Sequence, residues 1–150
     1  MKQHLWAPVL LLTAGLAGNA LAAKTDLTIG MQLEPPNLDP TGGAAAAIDE
    51  VVYANIFEGL TRFGPDGSVR PALAASWSIE NDGTRYVFSL QSGVTFHDGA
   101  AFSSEDVKFS IDRAMAEDST NAQKGLFANI DSVEVIDDNT VAINPVSYTH

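Results

Sequence analysis

Between Ser76 and Leu90 the sequence permits almost one structure. Trp77 and Ile79 alternate with polar residues up to Asn81-Asp82-Gly83, and Tyr86, Phe88 and Leu90 alternate down the other side. A period of two is that of a strand, and an Asp-Gly pair between two such runs marks a hairpin. The five large side chains fall on one face of a two-stranded ribbon, with Arg85, Val87 and Ser89 on the other. This face reads as hairpin core in preference to a carbohydrate-stacking platform, because large aromatic side chains at strand spacing usually bury against a core.

The same rules extend outward. A second hairpin is expected from Val133 and Val135, through Asp137-Asp138-Asn139, to Val141 and Ile143. Between the hairpins, Ser103 or Ser104 caps a helix supported by Glu105 and Asp106, with Val107, Ile111, Ala114 and Met115 as its apolar stripe. Gly64-Pro65-Asp66-Gly67 reads as a turn, and Pro71 to Ala75 as a short helical turn at most. Upstream, Leu27, Ile29 and Met31 predict a first strand over 25–31. The segment from Glu34 to Gly43, with three prolines and two glycines, admits no regular element. Ile48, Val51, Val52, Asn55 and Ile56 predict a helix over 46–58, stopped by Gly59. The fold class is α+β, a mixed α/β chain.

The first 22 residues have the order of a secretory signal peptide: a weakly basic start, an apolar run from Leu5 to Leu16, and the small-x-small sequence Ala20-Leu21-Ala22. The run is too short to span a bilayer. There is no cysteine, so neither disulfides nor a lipid-anchored cysteine is expected. A soluble exported protein without an anchor is retained only behind an outer membrane, which implies a Gram-negative periplasm. Nineteen acidic side chains outnumber eight basic ones, for a net charge of −11. Such a surface repels nucleic acid and anionic lipid.

Catalytic and metal signals are weak. Outside the leader there are two histidines, His97 and His150, and no metal-ligand spacing. His97-Asp98-Gly99 reads as a turn before it reads as an acid–base pair. No nucleophile elbow or phosphate loop occurs. A glycosidase-type carboxylate pair is left open, since its members can be distant in sequence. No catalytic residue, metal site or cofactor is assigned. The loop from Glu34 to Ala46 stands out instead, because a glycine-containing strand-to-helix connection lets a ligand approach the backbone closely.

These residues resemble the extracellular solute-binding protein family that serves dipeptide, oligopeptide and nickel ABC importers. Asn37-Leu38-Asp39-Pro40, Phe57-Glu58-Gly59-Leu60, Pro71-Ala72-Leu73-Ala74 with Ser76-Trp77, and Asp82 to Phe88 come in the family's order. Gly93 to Gly99, Phe102 and the Glu105-Asp106-Val107 helix running to Ser110 and Arg113 follow, and Asp138 to Val141 closes the set. The resemblance implies a class II periplasmic-binding-protein fold of two lobes and an extra lobe. Residues 23–61 would begin the first lobe and 62–144 would form the extra lobe, where His97-Asp98-Gly99 would be architectural. The expected role is the monomeric periplasmic receptor of an ABC importer that captures peptides for its membrane permease subunits, without catalysis. A nickel chelate, glutathione, an opine or an oligosaccharide is the alternative solute, and a secreted hydrolase a second alternative.

By position in the family, Thr41, Gly42, Gly43, Ala44 and Ala45 are the expected ligand contacts. The family's second lobe has no counterpart here, so weak binding by this chain alone is expected. Residues 145–150 depart from the family's continuation and are assigned to a truncated or foreign tail.

Overall fold

The computed structural model describes residues 26–53 and 55–146. Residues 1–25, which include the expected signal peptide, residue 54 and residues 147–150 lie outside them. The chain divides into two compact units, Met1–Met31 and Gln32–His150. In the first, the described residues form neither helix nor strand, contrary to the strand expected over 25–31. Alternation marks which face of a strand would be apolar, but a strand exists only where a neighbouring chain takes its amides. None does so among the described residues of that unit.

The second unit contains α1 (Ala46–Val52), β1 (Thr61–Phe63), β2 (Val69–Pro71), β3 (Ala74–Glu80), β4 (Arg85–Leu90), α2 (Ser104–Met115), β5 (Ile130–Asp137) and β6 (Thr140–Pro145). β1 and β2 form a small antiparallel ribbon closed by the Gly64 to Ser68 turn. The other four strands make an antiparallel sheet in the order β3-β4-β6-β5. Both expected hairpins are present, with Trp77 opposite Phe88 and Val133 opposite Ile143. Pairing of β4 with β6 joins them, setting Phe88 opposite Val141 and Tyr86 opposite Ile143. β6 runs through Pro145, opposite Ile130, one residue past the expected boundary at 144.

The core sits on the Phe88 face. Leu90, Val107, Val133 and Val141 form a buried cluster, against which Leu60, Phe88, Phe102, Ile111 and Ile130 pack. Full burial of each aliphatic side chain stabilises the fold by about 1.5–3 kcal/mol. α2 lies across this face through Val107 and Ile111. Its start is the expected capping motif: the Ser103 amide and hydroxyl both donate to Asp106 Oδ2, at 2.8 and 3.0 Å. Ser104 is fully buried, its hydroxyl donating to the Asp137 carbonyl and its amide to that of Asp138. The helix is thereby tied to the β5–β6 turn.

Two further expectations need correction. α1 ends at Val52, well short of Glu58. Tyr53 is extended (φ −71°, ψ 130°), and the amides of Ile56 and Phe57 both turn back to the Val52 carbonyl, at 3.0 and 2.9 Å. The β-branched pair Val51-Val52 gives the helix little intrinsic support to continue. Residues 71–75 do not coil either. The amides of Ala72 and Ala74 donate to the Leu60 carbonyl and that of Leu73 to Gly59, which holds Ala72 and Leu73 as a non-helical bend between β2 and β3.

Candidate functional site

The segment leading into α1 is a nested turn built by short polar side chains. Asn37 Oδ1 accepts from the Asp39 amide at 3.0 Å. Asp39 Oδ1 accepts from the Thr41 amide at 2.9 Å and from its hydroxyl at 2.8 Å. The Gly42 amide then closes on the Asp39 carbonyl at 3.0 Å. Asp and Asn favour such turns because their side chains reach backbone amides two residues on, and Pro40 removes a donor where none is used. Space at Gly42 is tight: a Cβ there would lie 3.1 Å from both Asn37 Oδ1 and Asp39 Cβ, so a side chain would press these two by a few tenths of an ångström.

The turn is also held from outside. Arg113, in the last turn of α2, donates from Nη2 to Asp39 Oδ2 at 2.6 Å and from Nη1 to Oδ1 at 3.3 Å. A guanidinium fork on a carboxylate fixes direction as well as distance. The Arg113 hydrogen bond, followed by those from Thr41, holds the Asp39 carboxyl well below the usual carboxylate range, and Asp39 in turn raises Arg113. Both side chains are more than a third exposed, 49% for Arg113 and 39% for Asp39. Solvent screening therefore limits the energy of the pair, and its contribution is chiefly geometric. Thr120 adds a second tether, its hydroxyl donating to the Thr41 carbonyl at 3.3 Å.

Thr41 to Ala45 run from this turn into α1, where Ala45 is the N-cap residue and its carbonyl accepts from the Ile48 amide at 2.9 Å. Thr41 and Gly43 are half-buried, while Gly42, Ala44 and Ala45 are exposed. The five expected contacts thus form one continuous ledge of small residues, anchored at its Thr41 end. Arg113 and Thr120 escaped the sequence reading as partners of this loop. They stand 74 and 79 residues from their partners in the chain, and no local pattern links them.

Two hollows adjoin the segment that follows α1. The larger, about 870 Å³, is lined mainly by apolar side chains, among them Ile56, Phe57, Leu73, Phe96 and Phe102. The smaller, about 400 Å³, lies beside Asp39 and Arg113 and is walled by Leu38, Phe57 and Phe109. His97 Nε2 lies 3.3 Å from the Ile56 carbonyl, and Asp98 accepts from the Ala100 amide at 2.9 Å, as in an ordinary Asp turn. Among the described residues no three His, Asp or Glu side chains converge as metal ligands. None of the described helices is long and apolar enough to cross a membrane.

Comparison with known proteins is consistent with this architecture. Residues 68–148 match the model of the bacterial extracellular solute-binding proteins, family 5 (middle). The glutathione-binding protein GsiB of Pectobacterium atrosepticum is 34% identical over 141 residues, 94% of this chain and 27% of its own. The chain thus spans about a quarter of the length of the curated relatives it matches. NikZ from Campylobacter jejuni, solved in complex with Ni(L-His), aligns with a TM-score of 0.66 and 35% identity, over 75% of this chain and 22% of its own. AgaA from A. tumefaciens R10, solved with agropinic acid, aligns at 0.69 and 30%, over the same shares. The structure is part of a class II periplasmic-binding-protein fold, and the chain belongs to family 5 of the bacterial extracellular solute-binding proteins.

Proposed function

We propose that this chain forms part of the periplasmic substrate-binding component of an ABC importer and that its solute is a peptide. Membership of family 5 is the single observation that carries this reading. Residues 23–61 are assigned to the first lobe and 62–144 to the extra lobe. Thr41 to Ala45 are the proposed contacts, because their small side chains let a ligand reach the backbone without steric obstruction. A peptide that bridges two lobes binds the closed form more tightly and shifts the population toward it. No bond is made or broken, and the solute passes to the permease unchanged.

A second reading, in which the solute is glutathione, a chelate or an opine, is favoured by the likenesses to GsiB, NikZ and AgaA. Calorimetry on the protein encoded by the complete reading frame tests both. Saturable binding of trialanine, with the ligand recovered intact by mass spectrometry, is expected. Binding of glutathione, Ni(L-His) or agropinic acid alone would favour the second reading. Product formation would replace both with a hydrolase.

A further inference from the structure

We infer that Arg113 is a positioning residue for the ligand loop: through Asp39 it fixes the conformation in which Thr41 to Ala45 are presented. This rests on the assignment of those five residues to the ligand face, but the mechanical part stands on geometry alone. α2 is immobilised at its start by Ser104 on the β5–β6 turn and along its length by Val107 and Ile111 in the core. Its last turn carries Arg113, whose fork takes both oxygens of Asp39. Oδ1 of Asp39 also receives the Thr41 amide and hydroxyl, and its carbonyl receives the Gly42 amide. The carboxylate therefore joins the rigid sheet-and-helix body to the turn from which the ledge of small residues departs.

A loop of glycines and alanines has little side-chain packing of its own to hold its shape, so its order must come from such external anchors. Thr120 on the Thr41 carbonyl acts in the same direction, from the segment that follows α2. The arrangement lowers the entropy lost when a ligand is taken up, because the loop is already ordered.

Amide hydrogen exchange on the full-length receptor tests the inference without a ligand. In Arg113→Ala, exchange at the Thr41 and Gly42 amides should accelerate at least tenfold, while the amides of β4 and β6 keep their protection. Arg113→Lys should recover part of the loss, since an ammonium restores the charge without the fork. Adding Asp39→Asn to Arg113→Ala should bring much less than the sum of the two single effects. Unchanged exchange at Thr41 and Gly42, or equal acceleration across the sheet, would overturn it. Isothermal titration with glutathione and trialanine separates this from the functional reading. If the wild type binds neither probe, the peptide assignment falls while the exchange result still decides the role of Arg113. If a probe binds, Arg113→Ala should weaken it about tenfold, and an unchanged affinity would overturn the link to the ligand loop.

Discussion

Arg85 on β4 donates to Glu134 on β5 at 2.7 Å, reaching past β6, which lies between their strands. The same guanidinium donates to Asn144 on β6 at 3.2 Å and lies 3.8 Å from Glu80 on β3. One side chain thus touches every strand of the sheet on the face away from the core. Because the partners are partly exposed, the effect should be ionic and open to screening. Arg85→Ala is expected to lower the urea midpoint at low salt, with the difference from wild type shrinking in 1 M NaCl.

On the core face, Trp77 and Phe88 are directly opposite, with ring centroids 6.4 Å apart. Phe88 packs against the buried cluster, whereas Trp77 lies toward the outer edge of the sheet. Phe88 is only partly buried, so Phe88→Ala should cost about 3 kcal/mol, the low end of the range for a core aromatic. Trp77→Ala should cost less, about 1–2 kcal/mol, and the pair should be non-additive in denaturant unfolding by up to about 1 kcal/mol.

The β3–β4 turn passes through positive φ at Asn81 (51°), Asp82 (54°) and Gly83 (88°). Asn and Asp tolerate this region, but a Cβ at Gly83 would be strained although the space around it is open. Gly83→Ala should destabilise by about 1 kcal/mol, and Asp82→Gly should be neutral or slightly stabilising, both read as shifts in Tm.

At the start of α2 two adjacent serines have different roles. Removing the capping partner in Asp106→Ala should cost about 0.5–2 kcal/mol. Ser104→Ala removes the hydroxyl that donates to the Asp137 carbonyl and should cost about 0.5–1.5 kcal/mol, the usual net worth of one hydrogen bond. Chemical denaturation of each variant would measure these losses, and a Ser104→Ala protein as stable as wild type would contradict the assignment.

The Asp39 pair predicts a pH dependence of definite sign. Its carboxyl is held below its unfolded value, so the folded state resists protonation. The resulting stability is fully present above the unfolded carboxylate pKa of about 4, and is lost as pH falls from there through the lower folded value. The Tm difference between wild type and Asp39→Asn should stay constant from pH 8 down to about pH 5 and narrow only in stronger acid. A difference already lost by pH 6 would place the pair elsewhere.

Local order in this protein was determined by the sequence itself. Alternation at Trp77, Ile79, Tyr86 and Phe88, the Asn81-Asp82-Gly83 turn, the Ser103–Asp106 cap and the Val107–Ile111 stripe act over a few residues, and each formed as read, except that Ile79, at the end of the edge strand, stays 59% exposed instead of joining the core. Only tertiary structure decided the rest. Asn55 and Ile56 looked helical, yet backbone bonds back to Val52 end the helix early. The β4–β6 ladder, the reach of Arg85 to Glu134 and the grip of Arg113 on Asp39 join residues about 50 to 74 positions apart. No short-range period encodes such pairings. They arise when two amphipathic hairpins bury their apolar faces under one helix, which brings edges and charges together that are distant along the chain. The ledge from Thr41 to Ala45 was legible as a loop, but what holds it was not.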